Sequence, residues 1–154
     1  MDVLKFVDDQ LLERYKHCII YGPPLTGKSK MAQEISKEKS GIYIDLLLEF
    51  QKNQKFKQEI DIFSAEDLIK YIVNVSKRGN KLLIIDHMDF LIHVWGETQF
   101  KELITFIEMS ENSFCCLFIM QDYRLISKLT LNNEKGNRRN INIFDIGQGG
   151  IINV

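Results

Sequence analysis

Apolar residues along this chain follow two alternating rhythms. Short, largely apolar runs at 17–21, 42–46, 82–86, 114–120 and 141–146 have the length of strands, and the most continuous of them read as buried on both faces. Between them, apolar positions recur at helical spacing. Leu4, Val7, Leu11 and Tyr15 predict a helix over 2–16, and 28–39 reads as another, closed by Ser40-Gly41. Ser64-Ala65-Glu66-Asp67 has the form of a capping box, with Asp67 in place of the usual Glu or Gln. It opens a helix to Lys77 that Gly79 ends. Phe100, Leu103, Ile104 and Ile107 mark one face of a further helix, and a short helix over 123–131 precedes the last strand. Residues 47–57 are polar and lysine-rich, and read as either helix or irregular chain. The alternation predicts an α/β fold in three layers, with helices on both faces of a five-stranded, mainly parallel sheet. A length of 154 residues suits one domain, with the helix in 1–16 packed on its core.

Composition is that of an ordinary globular chain, 45% hydrophobic and 27% charged. A net charge of −1 gives no bulk attraction to nucleic acid or to an anionic membrane. No run approaches the roughly 20 apolar residues that cross a bilayer. The amino terminus carries Asp2, Asp8 and Asp9 and lacks the apolar core of a secretory signal, so a cytoplasmic location is expected. Cys18, Cys115 and Cys116 have no metal-ligand spacing, and neighbours on a strand point to opposite faces. Buried, reduced thiols are the reading.

Between the first strand and the second helix stands Gly22-Pro23-Pro24-Leu25-Thr26-Gly27-Lys28-Ser29, the pattern G-x-x-x-x-G-K-[ST]. At average residue usage it arises by chance in fewer than about one chain of this length in a hundred. Such a loop turns its backbone N–H groups toward a phosphate chain, and the start of the following helix, through Lys30, adds partial positive charge. Gly22 and Gly27 permit close backbone approach. Pro23 and Pro24 stiffen the loop where no N–H donor is needed. Lys28 is placed to reach the terminal phosphates, and the Ser29 hydroxyl to ligate magnesium. The predicted cofactors are ATP and Mg2+.

A magnesium–phosphate site also calls for a carboxylate at the end of a neighbouring buried strand. Leu82-Leu83-Ile84-Ile85-Asp86 supplies Asp86. With the loop, this strand resembles the core of an AAA+ ATPase, a P-loop NTPase of the additional-strand type. In that family the strand ends Asp-Glu, and the Glu polarises the attacking water. Here His87 follows, then Met88-Asp89. The resemblance thus implies the magnesium site and leaves hydrolysis open among three readings. His87 acts as the base, or Asp89 substitutes for the acid, or the protein binds ATP and turns it over very slowly.

The resemblance gives further expectations. Gln121, at the end of the fourth strand, stands where a polar residue touches the γ-phosphate or its water. Arg138 or Arg139, in the loop before the fifth strand, stands where an arginine finger reaches a neighbouring subunit, with Arg124 as a rival. The chain ends where a helical lid would begin, so an AAA+-like core lacking the lid is expected, with its nucleotide open on one side. Small cores of this length are similar to the BrxF family of BREX phage-defence systems. That likeness implies a bacterial subunit that self-associates or assembles with other defence-system subunits, DNA contact being open. Lys52, Lys55 and Lys57 with Phe50 and Phe56 can be read as a nucleic-acid patch, although a solvated face is the simpler reading. No Asn-Lys-x-Asp element for guanine and no ABC-type signature is present. A small nucleotide or metabolite kinase has a similar loop, but it needs a closing lid that the sequence lacks. A non-hydrolysing scaffold is the third reading.

Overall fold

The computed structural model describes residues 2–24, 27–122, 124, 126, 127, 129 and 140–152. Strands β1 (Cys18–Tyr21), β2 (Ile42–Asp45), β3 (Leu82–Asp86), β4 (Cys115–Met120), β5 (Ile143–Asp145) and β6 (Gly150–Ile152) form one sheet in the order β2-β3-β4-β1-β5-β6. The first five run parallel, and β6 returns antiparallel to β5. Helices are α1 (Val3–Leu11), α2 (Lys28–Glu38), α3 (Leu46–Lys52), α4 (Gln54–Gln58), α5 (Ala65–Ser76), α6 (Asp89–Val94) and α7 (Glu97–Met109).

The period of two along each central strand sorts the core into two halves. Ile19, Tyr21, Leu83, Ile85, Cys116, Phe118 and Met120 pack with α3, α5, α6 and α7. Cys18, Ile20, Leu82, Ile84, Cys115, Leu117 and Ile119 pack with α1 and α2 on the other side. Three layers therefore form, as the unbroken apolar runs require. All three cysteines are free and buried, with Cys115 and Cys116 on opposite faces, and burial pushes the Cys18 and Cys116 thiols up. No described helix is long and apolar enough to cross a membrane.

The sheet has six strands where the apolar pattern predicts five. The sixth is too short to show as a run. A turn at Gly147-Gln148-Gly149 makes it, with Gly149 at φ +70° and the Asp145 carboxylate accepting the Gly147 N–H at 2.8 Å. Boundaries also move: the fifth strand, read over 141–146, spans Ile143–Asp145, and two further shifts have a local cause. Leu46 leaves β2 because Asp45 accepts the Leu48 N–H at 3.1 Å and starts α3. Helix α1 stops at Leu11 rather than continuing to 16, and the buried Gln10 amide instead holds the Lys16 carbonyl at 3.0 Å. The ambiguous stretch 47–57 is helical and broken at Asn53, whose side chain caps α4. Helix α6 has no counterpart in the sequence prediction. The capping box at Ser64 and Asp67 forms with both of its hydrogen bonds.

Phe50 and Phe56 belong to an aromatic cluster with Phe63, Phe90 and Tyr71, with Phe50 buried. These rings are engaged in packing, which removes the stacking platform that a nucleic-acid patch needs.

His17, 1% exposed, is a core residue at the opposite end of β1 from the glycine loop. Its Nδ1 accepts the Cys116 N–H at 3.0 Å, so Nε2 carries the proton and donates to Asn112 Oδ1 at 2.8 Å, while the ring stacks on Phe106. Burial lowers its pKa below the ordinary 6.5. Protons taken up by the unfolded chain are then refused by the folded one. His17 therefore contributes stability that is present above about pH 6.5 and lost as the pH falls through the folded value. Urea unfolding of wild type should lose up to about 1.4 kcal/mol more per pH unit below 6.5 than His17→Gln. Equal pH slopes in the two proteins would refute this.

Candidate functional site

The parallel strands all end at one edge of the sheet, and this edge gathers the polar residues. Strand β4 lies between β1, which leads into the glycine loop, and β3, which ends in Asp86. Strand β2 lies beyond β3 and brings Asp45 into register with Asp86.

The loop is tied down at its start by the Gly22 N–H, which donates to the Met120 carbonyl at 3.1 Å. Gly27 ends the loop at φ +76°, a left-handed conformation suited to glycine, and is the N-cap of α2. No side chain caps this helix, so its first N–H groups and dipole remain available to an anion. Lys28 Nζ donates to the Pro23 carbonyl at 2.7 Å. Burial lowers the pKa of this ammonium, and the charges of Asp89 and Asp86 oppose that shift.

Gly27, Lys28, Ser29 and Lys30 line a cavity of about 450 Å³ together with Asp86, His87, Asp89 and Gln121. Leu47, Phe90 and Ile119 supply its apolar lining. Gly22, Pro23 and Pro24 are not among its walls, and Leu25, Thr26, Arg138 and Arg139 lie outside the described residues.

Asp86 is 2% exposed. Its Oδ2 accepts the Tyr43 hydroxyl at 2.6 Å and its Oδ1 the His87 N–H at 2.8 Å, which fixes the carboxylate's orientation. Burial, and next the bond to Asp86, push the Tyr43 phenol well above its ordinary pKa of 10.0, so it remains a donor. Asp89 Oδ1 accepts the Gln121 N–H at 3.1 Å and ties the turn after β3 to the end of β4. Burial raises the Asp89 pKa, against the N–H groups of Gln121 and Asp122, which favour the anion.

His87 is 44% exposed at its side chain, with a φ of +57° that only glycine adopts at no cost. Its Nε2 is 3.1 Å from Ser29 Oγ and 3.6 Å from Asp86 Oδ2. Arg124 is held outside this cavity by a two-pronged contact to Asp122 at 3.2 and 3.0 Å. That pairing keeps the Asp122 carboxyl below its usual range.

Sequence reasoning missed Tyr43, Asp45, Leu47 and Phe90. The signal for Asp45 was its place at the end of a strand next to β3, and for Tyr43 its place two residues earlier on the same strand, which become visible only once strand order is known.

This order and loop define a P-loop NTPase-like α/β fold, with one additional strand between the loop strand and the acid strand. The particular group follows from a match over residues 18–143: the chain belongs to the ATPase family associated with various cellular activities, AAA. Membership makes it a nucleotide-binding protein, in a family whose members often assemble into oligomers. A search of curated proteins found no match.

The left-handed backbone at His87 gives a direct stability test. Replacing a side chain at positive φ by glycine relieves about 1 kcal/mol of strain. His87→Gly is expected to raise the unfolding free energy by about that amount in urea. A loss of stability would mean that the contacts to Ser29 and Asp86 outweigh the backbone cost.

Proposed function

We propose that the cavity binds ATP with magnesium, and that the chain works as an AAA+-like subunit of a larger assembly. One observation carries this reading: an uncapped helix start, the Lys28 ammonium, the Ser29 hydroxyl and the buried Asp86 carboxylate converge on a single cavity. The helix start and Lys28 meet the phosphates. Ser29 and Asp86 are oxygen donors of the kind a hard cation takes, and Tyr43 holds Asp86 in place. Among the described residues no three His, Cys, Asp or Glu side chains form a metal site of their own. This agrees with a magnesium ion whose shell is completed by phosphate oxygens and water. When bound, the ion neutralises charge on the phosphates.

Turnover in this reading is slow or completed by a partner. His87 stands where the family's Glu orients water, and Asp89, the next acid after it in sequence, is already engaged by the Gln121 N–H. The exposure of His87 leaves the cavity open to solvent, which weakens electrostatic stabilisation inside it. A neighbouring subunit closes the cavity and contributes an arginine, with Arg138 and Arg139 the candidates in this chain, while Arg124 is occupied by Asp122. The resemblance of the loop and the Asp86 strand to the AAA+ cores of BrxF proteins supports a role in a BREX-type defence assembly of bacteria.

Equilibrium binding of ATP and release of phosphate test the reading. Lys28→Ala should lose roughly 100-fold in ATP affinity. His87→Glu should speed phosphate release by at least about tenfold if the missing acid limits turnover. Unchanged affinity in the first variant would overturn the site, and an unchanged rate in the second would overturn the account of slow hydrolysis. ATP affinity that stays constant across protein concentration, with and without candidate partner subunits, would count against assembly.

A further inference from the structure

His87 has a geometry that slow turnover does not explain. An idle histidine on an exposed turn has no reason to hold a positive φ, yet its backbone sits at φ +57° with the ring turned into the cavity. Its Nε2 lies 3.1 Å from Ser29 Oγ, 3.6 Å from Asp86 Oδ2 and 4.0 Å from Asp45 Oδ2. Two donors that bind one cation at about 2.0–2.2 Å stand roughly 3 Å apart when adjacent. The imidazole nitrogen is therefore at ligand-neighbour separation from Ser29, one of the two oxygen donors assigned to the metal, and close to it from Asp86, the other. Tyr43 donates to that same Asp86 oxygen, the kind of outer contact that orients a ligating carboxylate.

The chemistry of this donor set differs from that of a magnesium site. Magnesium takes oxygen and gains little from imidazole, whereas first-row transition ions accept imidazole nitrogen beside carboxylate and hydroxyl oxygen. We infer that His87 Nε2 is a metal ligand beside Ser29 and Asp86, and that the site takes a first-row divalent ion such as Mn2+ with its nucleotide in preference to Mg2+. The inference rests on the nucleotide reading, keeps Ser29 and Asp86 as ligands, and replaces magnesium as the preferred ion. It also gives His87 a task that a glutamate in its place could not perform with the same selectivity. Asp45, capping α3 through its other oxygen, flanks the group and adds negative charge without being required as a ligand.

The test compares wild type with His87→Gly, a residue suited to the left-handed backbone and lacking any donor. With ATP present, MnCl2 and MgCl2 are titrated separately. Nucleotide retention is read by equilibrium dialysis and bound Mn2+ by electron paramagnetic resonance, with pulsed measurements for nitrogen coupling. Wild type should show nitrogen coupling to bound Mn2+. It should also prefer Mn2+ over Mg2+ by at least about tenfold beyond the ratio measured for free ATP. His87→Gly should lose the coupling and return to within about threefold of the free-ATP ratio, with half-saturation by Mg2+ little changed. Absence of nitrogen coupling in wild type, or the same ion preference in both proteins, overturns the inference. If ATP is retained equally with either ion, the nucleotide reading stands and only the ion assignment falls. If ATP is retained with neither, both fall.

Discussion

A parallel sheet covered by helices on both faces leaves its carboxyl edge as the place where polar groups can gather without being sealed in hydrocarbon. That constraint organises this molecule. The central strands β1, β3 and β4 are packed from above and below by apolar side chains, β2 flanks them at the sheet edge, and the polar residues of all four appear as the chain leaves the sheet. The glycine loop, Asp45, Asp86 and Gln121 each occupy the end of one strand. None has to travel far to meet the others, because adjacent parallel strands end side by side. Even the buried Asp86 is tolerable there, since the Tyr43 hydroxyl and the following N–H satisfy its oxygens.

The same constraint explains what was legible in the residues. Unbroken apolar runs identify strands buried on both sides, and the glycine loop identifies the entry to α2, so the fold class, Lys28, Ser29 and Asp86 could all be read directly. Strand order could not. It depends on which edges pair across 33 to 124 residues of sequence in the parallel pairs, and local periodicity carries no information about that. Tyr43 and Asp45 therefore stayed unremarked, although both are in plain view in the second strand. Helix α6 was also illegible, because six residues give too little periodicity, and β6 depends on a glycine turn rather than on an apolar run.

His87 shows the limit of a motif. The sequence says only that the usual acid is missing after Asp86. The structure adds a backbone in an unfavourable region and a nitrogen aimed between a hydroxyl and a carboxylate. An absence in the pattern becomes a presence in the cavity. Asp89 shows the converse: a second acid that looks like a ready substitute in the sequence is partly occupied as a strut between the ends of β3 and β4.

The three cysteines sit on the two innermost strands, β1 and β4, with no solvent exposure, and between them they face both halves of the core. A thiol-directed label can then reach them only when the sheet itself separates from its helices. The protein carries its own stopwatch for opening, with Cys116 on one side of the central layer and Cys18 and Cys115 on the other, without any engineered probe. Labelling of Cys116 against Cys18 would time the release of the α5–α7 side separately from that of the α1–α2 side. The rate at which the layers part could thus be followed in the intact chain.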